Sequence, residues 1–456
     1  MLPDDVLIEI FNFHDYDFED RFGEKAWRAL VRVCRRWRCI VFGSPRHLKV
    51  QLVCTARTPA IDMLDVWPAF PLVVLFEDDH PGGSMDNIVA ALKCTDRVHQ
   101  IELRIIRSSD LDIFLAAMQQ PFPELTSLRL WSIDGTMAVI PDSFLCGSVP
   151  LLEGLYLSGI TFPGLPKLLL SATHLVSLFL INIPHSGYIS PDGMVAALST
   201  LTSLSFLSLI FISPRSCPDQ EGRRPPPSTC SVLPVLKSFW FKGVSEYLDD
   251  LVACIDAPQL NKLEISFFND IIFDTPQLVR FIGLTAKSKA LKNAYIIVWD
   301  RAARVSFSSQ ISLDGEFHVE ILCRGLEWQV SSLQQVCASC LPPFSILEDL
   351  YFGEDSHPDL KDSIENRQWL ELLRSFIAVK NLYLSEKFAS RIAPALQELA
   401  EGRTTDVLPA LQNIFLRGIK SSVSVQESIG QFVAARQVAN HPIRVSPWSD
   451  SDEEED

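Results

Sequence analysis

The sequence predicts an α/β fold of the solenoid kind: a curved stack of strand–helix units with a parallel sheet on its concave side, preceded by a small helical module. Three observations carry that expectation. A short apolar pattern recurs along most of the chain. The 456 residues are 47% hydrophobic with a mean hydropathy of +0.16, yet no apolar run approaches the ~18 residues of a membrane span. The N-terminal residues follow helical spacing and stand apart from the repeats.

The recurring pattern is L-x-x-L-x-L. It reads Val98/Ile101/Leu103, Leu125/Leu128/Leu130, Leu152/Leu155/Leu157, Leu175/Leu178/Leu180, Leu204/Leu207/Leu209, Leu236/Phe239/Phe241 and Leu260/Leu263/Ile265. Leu291/Ala294/Ile296 is weaker, and Leu347/Leu350/Phe352, Val379/Leu382/Leu384 and Leu411/Ile414/Leu416 follow. Most neighbouring copies start 23 to 32 residues apart, and the gap after Leu291 leaves room for a degenerate copy around 317–321. Side chains alternate across a strand, so the last two apolar residues of each copy point into the core. The intervening segments 110–119, 191–200, 245–255 and 275–285 have the spacing of amphipathic helices. One strand and one helix cannot bury their own apolar faces, so each unit needs its neighbours.

A leucine-rich repeat normally places Asn or Cys three residues after the last strand leucine. This chain has Ile106, Ile133, Ile160, Ile183, Ile212, Val244, Phe268, Trp299 and Ile419 there, with Asp355 and Lys387 breaking the rule. More core packing and no asparagine ladder are expected at that position. Residues 213–231 carry Pro214, Pro218, Gly222 and Pro225-Pro226-Pro227, a composition that excludes a helix and reads as an exposed inserted loop. It is either a tolerated insertion or a docking loop. The domains are therefore 1–52, a helical module; 53–97, a linker with the first irregular repeats; 98–440, the solenoid; and 441–456, a disordered acidic tail.

In the helical module, Val6, Leu7, Ile10 and Phe11 follow the helix start Pro3-Asp4-Asp5. A second series holds Trp27, Leu30, Val31, Cys34, Trp37, Ile40 and Val41, interleaved with Arg32, Arg35, Arg36 and Arg38. The stretch Leu2-Pro3-Asp4-Asp5-Val6-Leu7-Ile8-Glu9-Ile10-Phe11, followed by Leu30-Val31-Arg32-Val33-Cys34-Arg35-Arg36-Trp37, resembles the F-box. Its continuation from Ile40 to Leu48 is similar to F-box proteins with degenerate leucine-rich repeats expanded in mushroom-forming fungi. The connection 12–25 is longer than the usual F-box loop. The resemblance implies a noncatalytic substrate-recognition subunit of an SCF-type cullin–RING ubiquitin ligase. Its F-box would bind a Skp-family adaptor, and through it a cullin, while the repeats take a target protein. The adaptor contacts it implies are Leu2, Pro3, Ile10, Phe11, Leu30, Val33, Cys34 and Trp37. A noncatalytic scaffold acting outside a ligase is the alternative.

The remaining features exclude more than they assign. A net charge of −16 argues against nucleic acid as a partner. Eleven scattered cysteines and the absence of an Asn-x-Ser/Thr sequon suit a cytoplasmic or nuclear setting, and Met1-Leu2-Pro3-Asp4-Asp5 opens no signal peptide. Cys337-Ala338-Ser339-Cys340 has no second pair at zinc spacing, so it reads as two buried thiols more readily than as a metal or redox site. No phosphate loop, nucleophile elbow or H-E-x-x-H occurs, and no cofactor is implied. Ser449 and Ser451 precede acidic residues, a context for phosphorylation or for a merely solubilising tail.

A target surface is expected at the residue between the last two apolar positions of each strand, which alternation sends to the concave face. That column reads Glu102, Arg129, Tyr156, Phe179, Ser208, Trp240, Glu264, Tyr295, Tyr351, Tyr383 and Phe415. Seven of these eleven are aromatic in a chain that is 10% aromatic. Strand propensity and cross-strand stacking explain part of the enrichment; aromatic anchors of an interface explain it too. Arg129, Tyr156, Phe179, Trp240, Tyr295, Tyr351, Tyr383 and Phe415 are the candidate target contacts, with Lys242, Lys262 and Arg417 adding charge.

Overall fold

A computed structural model of the chain describes residues 2–13, 24–44, 48, 50–64, 69–77, 84–105, 108–132, 138–216, 230–268, 275–284, 291–310, 316–323, 325–339, 346–354, 364–401, 405–417 and 423–448. Most of the inserted loop, the acidic run 449–456 with its two serines, most of the connection 12–25, Cys340, Asp355 and the repeat positions Ile106, Ile133 and Ile419 lie outside them. Two units divide the chain: Met1–Ile189 with Ala196–Leu204, and Ser190–Val195 with Ser205–Asp456.

The first unit opens with three helices, α1 (Asp4–Phe13), α2 (Glu24–Val33) and α3 (Arg35–Gly43). Asp4 and Asp5 suit the positive end of α1. Cys34 caps α3, its Sγ accepting from Trp37 N at 3.4 Å. Six strands then pair in parallel: β1 (Leu52–Cys54), β2 (Leu72–Glu77), β3 (Val98–Ile105), β4 (Ser127–Ser132), β5 (Gly154–Ser158) and β6 (Ser177–Ile183). The sheet thus begins at Leu52, well before residue 98. The apolar run 69–76, interrupted by Pro71, supplies β2, whose first three residues are fully buried.

In the second unit the strands are β7 (Phe206–Phe211), β8 (Ser238–Gly243), β9 (Lys262–Phe268), β10 (Asn293–Val298), β11 (Ala303–Ser308), β12 (Phe317–Leu322), β13 (Asp349–Glu354), β14 (Asn381–Leu384), β15 (Asn413–Leu416) and β16 (Arg444–Pro447). Their lateral order is β7-β8-β9-β12-β11-β10-β13-β14-β15-β16. The expected copy at 317–321 is present as β12, parallel to β9. The expectation of a wholly parallel sheet fails beside it, because β11 runs antiparallel to both β10 and β12. A tight turn closed by Trp299 N donating to Ala302 O at 2.8 Å reverses the chain. Ala303, Val305 and Phe307 of β11 alternate into the core with outward Arg304, Ser306 and Ser308. The solenoid also runs past residue 440. Residues 444–447, expected to be tail, pair with β15 from Asn413↔Arg444 to Leu416↔Pro447.

Leucines of the recurring pattern form the core in both units; Leu128, Leu130, Leu155, Leu178, Leu207, Leu350 and Leu382 are buried. The expected helices occur at Ser108–Ala117, Pro191–Leu198, Ser245–Ala253 and Pro276–Leu284. At the variant repeat position Ile160, Ile183 and Phe268 are buried, whereas Ile212 is exposed, so only part of that series adds to the core.

Buried Asp249 of helix Ser245–Ala253 ties two repeats of the second unit together. Its Oδ1 accepts from Gln277 N and Leu278 N, both at 2.9 Å, capping the first turn of the next helix from outside. Asp249→Ala leaves those amides without this acceptor and is expected to destabilise the protein by about 1–3 kcal/mol. Urea unfolding of the variant beside the native chain measures it, and an unchanged midpoint contradicts it.

Candidate functional site

The repeat helices lie against one side of the strands, and the other side carries the outward column. In the first unit the column starts with a charged patch. Arg129 Nη1 lies 3.9 Å from Glu102 Oε2, and Arg104 bridges Glu102 at 3.9 Å and Glu77 at 3.4 Å. Arg104 also stands 5.2 Å over the Trp131 ring. Trp131 meets Tyr156 at 4.7 Å and Tyr156 meets Phe179 at 5.5 Å, both tilted. Arg129 is exposed while Tyr156 and Phe179 are half-buried, so guanidinium and ring edges reach solvent together. Trp131 belongs to the same patch and was not singled out from the sequence; its place two residues beyond Arg129 is the signal.

The second unit opens its face with Trp240, half-buried, meeting Phe206 at 4.8 Å and lying 5.8 Å from Lys262 Nζ. Next in register come Glu264, His318 and Ser306, so that two polar residues intervene between Glu264 and Tyr295. Lys262 holds Glu264 at 2.9 Å and His318 Nε2 approaches it at 3.5 Å. Burial works against the Glu264 charge, but hydrogen bonds from His318 and Lys262 outweigh it and hold the carboxyl at about 2. Ser306, His318 and Glu264 lie side by side as a serine, a histidine and an acid. They do not form a nucleophilic triad, because the Ser306 Oγ is fully buried and has no hydrogen bond to the imidazole.

Four rings then stack in one column. Tyr295 and Tyr351 are 4.4 Å apart, Tyr351 and Tyr383 4.1 Å, and Tyr383 and Phe415 4.5 Å, each pair within 11° of parallel. Cross-strand stacking therefore accounts for this half of the column. Tyr295 and Tyr351 are only 3% and 4% exposed, which corrects the expectation that they face solvent. Alternation sends them off the core, but neighbouring rings cover them, and Trp448 lies 6.1 Å from Tyr351 and 5.7 Å from Tyr383. Burial, with Tyr383, Tyr295 and Asp349 nearby, pushes the Tyr351 phenol well above its ordinary value. Tyr383 and Phe415 stay half-buried.

One row to the side, an asparagine–aspartate ladder runs parallel to the rings. Asn413 Nδ2 donates to Asn381 Oδ1 at 2.7 Å, and Asn381 Nδ2 donates to Asp349 Oδ1 at 2.6 Å. The ladder was not anticipated, yet Asn293, Asp349, Asn381 and Asn413 each stand two residues before a column aromatic, and that repetition was legible.

In the helical module, Leu2, Val6 and Ile10 are 51%, 41% and 44% exposed, and Val33 is 58% exposed. Val6 and Ile10 stand four residues apart on one face of α1, and Leu2 lies just before the helix. Pro3 and Cys34 are exposed, and Leu30 and Trp37 half-buried. Phe11 is a correction: at 3% exposure it is core, packed edge-on to Trp37 at 4.7 Å. Arg36 fixes α3 against the chain start, its Nε donating to Asp4 Oδ1 at 3.0 Å.

Cys337 is buried in helix Leu326–Ser339. Among the described residues no group of three or more His, Cys, Asp or Glu could hold a metal ion, and no helix is long and apolar enough to cross a membrane.

No family model matches the chain, and no curated protein matches it. Among solved structures, the chain is similar to the leucine-rich-repeat-containing protein LegL7 from Legionella pneumophila at 14% identity and a TM-score of 0.28, over 77% of this chain and 95% of that one.

Asp349 gives the ladder a pH dependence. Burial outweighs the hydrogen bond from Asn381 and raises its carboxyl above the ordinary 3.8. A raised carboxyl favours the protonated form in the folded state, so its stabilising contribution is full below pH 3.8 and is lost as pH rises through the folded value. Asp349→Asn keeps the acceptor without the charge, and is expected to be more stable than the native chain at pH 7. That advantage narrows below pH 3.8. Thermal unfolding across that range checks it, and a variant less stable at pH 7 contradicts it.

Proposed function

We propose that this chain is a noncatalytic receptor that joins two proteins, one at its N-terminal helices and one on the helix-free faces of its sheets. The observation that carries the reading is the exposed stripe Leu2, Val6 and Ile10 with Val33. Four apolar side chains left in water on a module of three short helices fit a partner that covers them. The resemblance of this segment to the F-box makes that partner a Skp-family adaptor, and through it a cullin–RING ubiquitin ligase. The contacts are then Leu2, Pro3, Val6, Ile10, Leu30, Val33 and Trp37, with Phe11 supporting them from inside.

The second partner is the ligase target. Exposed Arg129 beside half-buried Tyr156 and Phe179, and separately Trp240 beside Lys262, combine the residue types that anchor interfaces. Tyr295 and Tyr351 belong to the support of the face; Tyr383 and Phe415 present their edges. The setting proposed for this activity is cytoplasmic or nuclear.

Replacing Leu2 and Ile10 together by Asp puts charge into the stripe without touching the module's core. Truncating an interface anchor typically costs about 2 kcal/mol, so this double change is expected to weaken binding of purified Skp-family adaptor by more than about a hundredfold. Circular dichroism should remain native. Unchanged adaptor binding by the folded variant would remove the ligase assignment and leave the scaffold reading.

A further inference from the structure

Two cysteines stand side by side where the second unit pairs a short strand from each of two neighbouring repeats. Ser231–Val232 and Ile255–Asp256 run parallel, with Ser231↔Ile255 and Val232↔Asp256 as partners. Ser231 N donates to Cys254 O and Leu233 N to Asp256 O, both at 2.8 Å. One residue back on each strand are Cys230 and Cys254. The Cys230 thiol donates to Ala253 O at 3.5 Å, so its sulfur lies against the peptide unit that joins Ala253 to Cys254. Paired strands lie about 4.8 Å apart, and a disulfide spans Cα atoms about 4.4–6.8 Å apart. Register therefore brings the two residues within bonding reach, although both are thiols in this structure.

The two thiols differ in access. Cys230 is exposed and Cys254 is 5% exposed, its Sγ donating to Asp250 O at 3.4 Å. Burial above all, with Asp192, Cys230 and Asp250 nearby, pushes the Cys254 thiol up, so it stays protonated. Both thiol–carbonyl contacts are weak, and rotation about Cα–Cβ turns each sulfur off its carbonyl. We propose that Cys230 and Cys254 are a peroxide-sensitive pair, in which the exposed sulfur is oxidised first and the buried one closes a disulfide on it. The Cys230 thiolate attacks one oxygen of hydrogen peroxide; the O–O bond breaks, an S–OH bond forms, and the departing hydroxide takes up a proton as water. The Cys254 sulfur then displaces the hydroxyl, which leaves as water with the Cys254 proton. Two thiols and one peroxide give one disulfide and two waters, the sulfurs losing two electrons and the peroxide gaining them. The bond fastens the end of the proline-rich stretch 213–231 to the C-terminal end of helix Ser245–Ala253 and so links two repeats. A thiol reductant reverses it, which suits a reducing compartment, where disulfides are transient and redox-sensing. The pair stands apart from both proposed partner surfaces and does not depend on that reading.

Hydrogen peroxide added to the folded, full-length native chain tests this. Remaining thiols are alkylated on denaturation, and tryptic peptides are mapped by mass spectrometry without reductant. The expected product is a peptide pair joined through Cys230 and Cys254 that dithiothreitol separates. Cys217, in the same proline-rich stretch, is the rival partner. Cys217→Ser is therefore expected to keep the bond, and Cys230→Ser to abolish it. Cys254→Ser, shown to be folded by circular dichroism, is expected to strand Cys230 as a sulfenic acid that dimedone labels. In the native chain the disulfide consumes that intermediate, so its dimedone label at Cys230 should be weaker. The native chain decides the matter if Cys254→Ser does not fold. Pairing of Cys230 with Cys217, or with a second chain, overturns the proposal. So does a folded native chain in which Cys254 remains a thiol, whether Cys230 is untouched or oxidised beyond the sulfenic acid.

Discussion

In-register pairing of neighbouring strands is the constraint from which the rest follows. A repeat of this kind cannot bury its own leucines, so each strand aligns with the next until Leu350, Leu382 and Ile414 form one continuous layer. The alignment that stacks the inward residues also stacks the outward ones. Tyr351, Tyr383 and Phe415 become a column of rings for the same reason that the leucines become a core. Asp349, Asn381 and Asn413 likewise become a hydrogen-bonded ladder. What a partner meets on this face is therefore set by repetition at fixed positions, and any departure from the repeat changes the surface.

Those departures sort the face into regions of different chemistry. In the first unit the outward positions are charged and then aromatic, with Arg104 and Arg129 tied to acids that limit their freedom. In the second, pairing of β12 with β9 brings His318 beside Glu264, and the antiparallel strand β11 adds Ser306. It separates the polar stretch from the stacked rings, where a regular repeat would have run them together. The stacked rings are stiff and mostly covered. The rings outside that stack, Tyr156, Phe179 and Trp240, are half-buried, have polar or charged neighbours and retain accessible surface. Recognition suits the latter, because an anchor must offer area that a partner can still bury.

The period of the core was legible because it depends on local alternation alone. The same rule identified the outward column, and every residue named in it does lie off the leucine side of its strand. Non-local information was not legible. Ala303–Ser308 alternates well but contains no leucine, and nothing in its sequence says that β12, not β10, will lie next to β9. Alternation gives a direction and not a cover, so the burial of Tyr295 and Tyr351 among neighbouring rings escaped it. Arg444-Val445-Ser446-Pro447 was read with the acidic tail because its strand character comes from its partner β15. Helical spacing likewise grouped Phe11 with Ile10 as apolar, although one faces the module's core and the other water. The Asn/Asp ladder differs from these: its signal was present, in a row that was not read.

In the repeats, the target docks on the face of the sheet away from the helices, and the repeat helices serve only as backing. Photo-crosslinking in the native cell extract tests it most directly, with benzoylphenylalanine placed at Phe179 in one chain and at exposed Ile113, on helix Ser108–Ala117, in another. The account predicts that the probe at 179 captures a discrete protein and that the probe at 113 captures none. Capture from position 113 with none from 179 would contradict it and move recognition to the helical side.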